Sequence, residues 1–379
     1  MGRTSLPPLI VCVLLAALLA AGCTGPSPAP AHQPAASAAA PGPGSSAPSA
    51  SAAVSSPAAQ SPAPPPGPVA VRVGYQPILS HAAFFLAVDK GYLREAGVEP
   101  EMTEFRGSDA AMPFLANGQL DVVGGSVGAG FLNGVHQGVS GLAVAVMSGV
   151  GPDGLTAGAM VVRQEDVNSG RITSPAQLRG RRVGVNGTGV YGEFLADLAM
   201  RKGGLTLDDA EMVVLGFPDL MAGLAGGSLD AALLTEPWVL QAQERGIGVP
   251  IVREGLDPNG TTQVVLYGEQ FVKSNPEGAR RFMVGYLRAL RDLARSNFKD
   301  PEDAAIIERW TKLPADVIVR AVPPYIDPDG RMNVEHLDQQ QRFFMRRGYL
   351  SYREPIDLNR LVDYTWLDYA IQQLGPFQR

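Results

Sequence analysis

The chain has 379 residues, 45% of them hydrophobic and 18% charged, with a formal net charge of −6. No long basic run occurs, which argues against a nucleic-acid partner. Both cysteines, Cys12 and Cys23, lie within the first 23 residues, so residues 24–379 hold no disulfide, thiolate nucleophile or zinc–cysteine site.

Residues 1–23 read as an export signal. Arg3 gives a thin positive start, and the apolar run 9–21 is too short to span a bilayer. The ending L-A-A-G-C (19–23) resembles the lipobox of bacterial lipoproteins, although Ala20 stands where that family prefers leucine. The resemblance implies that Cys23 becomes a diacylated N-terminus, and two or three acyl chains anchor stably. Residues 24–68 hold 13 of the 32 prolines and no charged side chain, the composition of a disordered tether. The folded part is expected from Val69 to Arg379, enough for one large or two medium cores.

Strand periodicity covers residues 69–75, followed by a loop with Gln76 and His81. Helical spacing runs over 82–93, and Gly97 breaks it. A strand at 100–105 leads to a helix start at Gly107-Ser108-Asp109 and a helix over 110–115. Val122-Val123 leads to a glycine turn with Ser126 and Val127. The second half repeats this order. Strand 183–185 enters the turn 186–189, helix 194–201, strand 212–215, a helix through Leu224, and strand 231–234 before T-E-P-W (235–238). Such alternation means parallel sheets with right-handed crossovers.

Segments 159–163 and 264–267 read as single strands that carry two crossings between lobes. Lobe 1 is then 69–160 with 265–379, and lobe 2 is 161–264. The last third is helical. Asn275-Pro276-Glu277 and Asp300-Pro301-Glu302 are start signals, with further helices at 333–347 and 358–374. These are expected to pack around the first lobe.

L-A-N-G-Q-L-D (115–121) returns as L-A-G-G-S-L-D (224–230), and V-R-V-G (71–74) is answered by R-V-G-V (182–185). Two copies are too few for a solenoid. They describe two similar lobes with a ligand cleft between them. Strand after strand ends in a small polar residue before a helix, and ligands bind beyond such carboxyl ends. Free N–H groups there favour anions or polar acceptors.

G-T-G-V-Y-G (187–192) spells G-x-G-x-x-G, but the acid that should close the second strand is missing: the strand ends at Phe217, with Asp219 beyond. A nucleotide-dependent enzyme is therefore a minor alternative. No H-E-x-x-H, G-x-S-x-G or P-loop occurs, and no enzyme activity, metal or cofactor is expected. His136 and His336 read as structural, and His81 as either a ligand contact or a surface residue. In Glu236-Pro237-Trp238 the carboxylate could accept from an amine or ring N–H. Trp238 could stack on a planar ligand or pack under its own helix; Tyr191 carries the same two readings. Arg106 is the one basic side chain near these loops that could pair with an anion.

V-G-Y (73–75), A-V-D-K-G-Y-L (87–93) and G-V (97–98), with the two L-D motifs and Glu236-Pro237-Trp238, resemble one family. It is the SsuA-like group of ABC-importer substrate-binding proteins for sulfonates, taurine, nitrate and pyrimidine precursors of thiamine. The similarity covers 69 to about 290. It implies a two-lobed α/β fold of the periplasmic-binding-protein type (type II), each lobe a mostly parallel sheet flanked by helices. The cleft it implies holds Gln76, His81, Ser108, Ser126, Val127, Asn186, Thr188, Tyr191, Glu236 and Trp238. By the same resemblance the protein is an extracytoplasmic, membrane-anchored monomer that hands a small solute to permease subunits. The alternative is a sensor subunit of the same fold. The related eukaryotic pyrimidine synthases need a cysteine-rich motif, which is absent after Cys23.

Overall fold

The computed structural model describes residues 67–138 and 141–378. The expected signal, Cys23 and all but the last two residues of the tether lie outside them. Ten strands form among the described residues: β1 Val69–Tyr75, β2 Val98–Glu104, β3 Val122–Gly125, β4 Gly141–Gly149, β5 Gly158–Arg163, β6 Arg182–Val185, β7 Glu211–Val214, β8 Ala231–Thr235, β9 Gly248–Val252 and β10 Thr261–Gly268. They make two five-stranded sheets with matching orders, β2-β1-β3-β10-β4 and β7-β6-β8-β5-β9. In each sheet three strands run parallel, and the fourth position is antiparallel to both neighbours.

The repeated motifs meet each other inside each lobe. Asp121 accepts from the Arg72 backbone N–H at 2.8 Å and pairs with its guanidinium at 2.6 Å. Asp230 does the same for Arg182, at 2.9 Å to the backbone N–H and 3.3 Å to Nε. Gly118 and Gly227 sit just past the preceding helices at φ +73 and +75, where a side chain is strained. The motif leucines Leu120 and Leu229 then lie on Gly74 and Gly184, where an added Cβ would approach them to 3.0 and 2.9 Å. Each copy thus ends a helix, turns, and clasps its third strand beside its first.

The strands expected to carry the crossings are sheet members instead. β5 pairs with β8 and β9, and β10 with β3 and β4. The crossings are the adjoining segments 150–157 and 253–260, which bond to each other through Val150 N to Gly260 O at 2.8 Å. The physical reason is burial. Nearly every residue of β5 is buried, so its backbone groups need partners on both edges, which a lone linker lacks.

Other elements differ in detail. The helix expected over 82–93 breaks into Ala82–Asp89 and Tyr92–Glu95 because Gly91 takes φ +77. The glycine turn after β3 opens a helix, Ala129–His136, absent from the sequence reading. The long helix Pro276–Ser296 is capped by Asn275, which accepts from Gly278 N at 2.9 Å, and Asp300 caps Pro301–Thr311. Both bury their apolar faces against the first lobe, as does Thr365–Leu374. Residues 358–364 are not α-helical: Val362 bridges Ala143 in parallel beside β4. The helix Val334–Arg346 also departs from expectation. Phe343 packs against Phe194 of the second lobe at 5.5 Å, within an apolar cluster drawn from both sheets. It straddles the lobes.

The Asp230 carboxyl is held below its ordinary pKa of 3.8: burial alone would raise it, but the Arg182 backbone and guanidinium donors outweigh that. A group depressed in the fold stabilises above its unfolded pKa and loses that contribution as pH falls through the folded value. Asp230→Asn should therefore cost about 2 kcal/mol at pH 7 in urea unfolding. The gap from wild type should close as pH drops below the ordinary carboxylate value.

Candidate functional site

A cavity of about 860 Å³ lies between the two sheets. Its wall is built from the carboxyl ends of all six parallel strands. Beyond β1 come Gln76 to Ser80, beyond β2 Arg106 and Ser108, and beyond β3 Ser126. Opposite, β6 gives Asn186 and Thr188, β7 gives Phe217 and Asp219, and β8 gives Thr235 and Glu236. Ligand pockets of known proteins fall at roughly 300–1,000 Å³, so there is room for more than a triatomic or tetratomic ion.

Seven of the ten residues expected from the sequence line this cavity: Gln76, Ser108, Ser126, Asn186, Thr188, Tyr191 and Glu236. Ser108 and Ser126 are largely buried, at 9% and 6% exposure. The Gln76, Ser108, Ser126, Asn186 and Thr188 side chains carry no hydrogen bond to another described residue. Their donors and acceptors stay available to a solute.

His81, Val127 and Trp238 do not line the cavity. His81 is fully buried behind the wall, its ring over Gly124, where a Cβ would come within 2.6 Å of Cε1. The Gln76 backbone N–H donates to its Nδ1 at 3.2 Å. Burial drives its pKa down to about 3, against the weaker opposing effect of a contact with the Gln263 side chain. Val127 belongs to the apolar cluster shared by the lobes. Trp238 stacks on Phe217, with ring centroids 6.2 Å apart, and packs on the outer cluster of the second sheet. Phe217 and Tyr191 are the aromatic residues of the cavity lining.

Glu236 and Tyr191 are committed elsewhere. The buried Glu236 carboxylate pairs with Arg253 of the second crossing and accepts from Leu240 N at 3.1 Å. Its charge is thereby neutralised within the protein. The peptide bond before Pro237 is cis. Tyr191 donates its hydroxyl to Asp257 Oδ2 at 2.9 Å, and burial followed by that carboxylate raises its pKa. Asp257, also in the second crossing and 2% exposed, faces His336 Nδ1 at 2.7 Å. His136 packs on Tyr352, with ring centroids 4.7 Å apart.

The loop 186–190 is anchored to the first lobe. Glu193 accepts from Gly189 N and from the Tyr349 hydroxyl, both at 2.7 Å, and Ala129 N donates to Gly189 O at 2.8 Å. Among the lining residues that escaped the sequence reading are Thr156, Thr262 and Gln263, polar side chains in or beside the crossings. A signal existed for the last two. T-T-Q opens a run that is otherwise V-V-L-Y, polar residues at the head of a buried strand. No cluster of three or more metal-ligating side chains occurs among the described residues, nor a helix long and apolar enough to cross a membrane.

A sequence model of the NMT1-like family matches residues 64–308, more than half of the chain. The chain belongs to that family. A Brucella abortus protein provisionally named a binding protein is 26% identical over 234 residues, covering 60% of this chain and 68% of its own. Among solved structures, the periplasmic aliphatic sulphonate binding protein SsuA from Escherichia coli superposes with TM-score 0.63 at 22% identity, over 78% of this chain and 92% of its own. The periplasmic nitrate-binding protein NrtA from Synechocystis PCC 6803 gives 0.65 at 15%, over 81% and 89%. The desulfurization enzyme DSZB gives 0.58 at 19%, over 81% and 99%. At these identities the structures establish the periplasmic-binding-protein fold, and one fold carries both binding proteins and an enzyme. The family and fold expected from the sequence motifs are thus found.

Asp257 holds the His336 pKa above 6.5, chiefly through their hydrogen bond. A group raised in the fold stabilises fully below its unfolded pKa and loses that contribution as pH rises through the folded value. His336→Gln should therefore lower the thermal midpoint at pH 6, and the difference from wild type should shrink by pH 9.

Proposed function

We propose that the chain is the extracytoplasmic solute-binding component of an ABC importer. It takes a small polar or planar solute, of the sulfonate, nitrate, taurine or aminopyrimidine class, between its lobes and delivers it to permease subunits. One observation carries this reading above the others. Unpaired polar side chains from both lobes, Gln76, Ser108 and Ser126 on one and Asn186 and Thr188 on the other, converge on a single cleft. A solute that meets both sets only when the lobes are shut supplies the differential contact that closure requires. The names of the Brucella relative and of the E. coli and Synechocystis proteins support it. In this scheme residues 1–23 direct export, Cys23 carries the lipid, and residues 24–68 tether a monomer outside the membrane. No cofactor or nucleic acid takes part, and the solute leaves unaltered.

A thermal-shift screen of the purified protein against taurine, alkylsulfonates, nitrate and aminopyrimidines tests the proposal. One class should stabilise, by about 2.7 kcal/mol at a hundred times its Kd. Ser126→Ala and Asn186→Ala should each weaken that solute about fivefold, one ordinary hydrogen bond, without moving the solute-free midpoint. Equal affinity in both variants would remove these residues from the site. Silence across the panel would detach the protein from these solutes.

A further inference from the structure

The geometry points to His81 as a positioning residue that acts through Gln263: it holds the Gln263 amide so that its N–H donors, not its oxygen, face the cleft. This rests on the cleft being the solute site. His81 is fully buried, and the Gln76 N–H donates to Nδ1 at 3.2 Å. A nitrogen that accepts carries no proton, so the neutral ring bears its proton on Nε2. That Nε2 is sealed from solvent, and no ordinary hydrogen-bond partner meets it. The Gln263 Oε1 is sealed and unmatched in the same way.

The sheet register brings the two residues to one region of the first lobe. Val265 of β10 lies opposite Gly124 of β3, and the His81 ring occupies the space where a Gly124 side chain would stand. Gln263 lies two residues before Val265, where the pairing of β10 with β4 is irregular and its pairing with β3 has ended, and it lines the cavity wall behind which His81 is buried. The Gln263 side chain is also the group that counteracts part of the fall in the His81 pKa. The His81 Nε2 and the Gln263 Oε1 are both left without a partner in this structure, and leaving either unmade costs about 1–3 kcal/mol, so a small approach of one to the other would complete both.

Gln263 lines the cavity, so the amide group left facing it is the NH₂. A glutamine free to flip could offer a solute either an acceptor or a donor. Held at its oxygen, it offers donors alone. The wall then selects a solute with an acceptor at that point, whether a carbonyl, a ring nitrogen or an acid oxygen. The Phe84 ring, edge-on to His81 at 6.0 Å, and Met147 sulfur near Gly124 leave the imidazole little room to turn.

Nitrogen-15 NMR of the intact protein tests this without any solute. The His81 ring should remain a single neutral tautomer, protonated on Nε2, from pH 7.5 down to pH 5. A proton on Nδ1, or a doubly protonated ring in that range, would overturn the assignment. In the second measurement, His81→Phe keeps a ring over Gly124 but removes the donor. The Gln263 side-chain NH₂, ordered in wild type, should become mobile on the nanosecond timescale. An unchanged Gln263 amide in a folded variant would refute the positioning role. If the variant does not fold, Gln263→Leu decides from the other side: the His81 Nε2 proton resonance should shift once its acceptor is gone, and an unchanged resonance would refute the pairing. Neither readout depends on a bound solute, so failure here leaves the importer reading to be judged by its own screen.

Discussion

The clasp between an aspartate and the start of a strand underlies both lobes. Asp121 on Arg72, and Asp230 on Arg182, each satisfy a backbone N–H and a guanidinium with one carboxylate. A charge-assisted pair of this kind exceeds an ordinary hydrogen bond in strength and is fixed in direction. It sets β3 beside β1, and β8 beside β6, at the edge farthest from the cleft. Once that edge is fixed, the parallel strands emerge together at the other end, and their loops form a wall. Ser126 and Glu236 come from the two clasped third strands, Gln76 and Asn186 from the two first strands. The clasp never touches the cleft, yet it decides where the cleft's residues stand.

The join between the lobes is built differently. Each crossing feeds an antiparallel strand into the sheet it reaches, so the lobes exchange strands as well as linkers. Asp257 in the second crossing is held from the second lobe by Tyr191 and from the helix Val334–Arg346 by His336. That helix also places Phe343 against Phe194. A hinge motion must therefore turn about a packed apolar seam and a buried three-residue polar network, rather than about two free strings. Buried polar networks that are satisfied favour one discrete arrangement over a continuum. Any relative movement of the lobes would then be a shift between packings.

The sequence reveals what local chemistry determines. The repeat was legible because a helix stop, an αL glycine, a buried leucine and an aspartate occupy seven consecutive residues in each copy. The strand ends were legible because small polar residues interrupt apolar runs there. The long-range assignments were not. β5 and β10 look like linkers because their partners lie far away in the chain, and period alone cannot tell a buried strand from an extended connection. Glu236 looked like a free carboxylate because Arg253, which neutralises it, is 17 residues on in another element. His81 looked exposed because it stands in a loop. Only the bare backbone of Gly124, on a strand 43 residues away, reveals the space that takes its ring.

Charge near the cleft follows one rule. Each buried carboxylate there is already matched: Glu236 by Arg253, Asp257 by Tyr191 and His336, Glu193 by Gly189 N, Tyr349 and Arg347. Unmatched buried charge would be far more costly than unmatched hydroxyls. Away from the rim, what the wall leaves open is uncharged: hydroxyls, amides and the Phe217 side chain. The unpaired lining charges among the described residues, Arg106, Glu104 and Asp219, are exposed and lie at the rim. On the proposed reading, an ionic group of the solute would be met where water and salt weaken the attraction. Its hydrogen-bonding atoms would be met inside, where fixed dipoles count for more. Shape and donor pattern, more than net charge, decide what such a cleft retains.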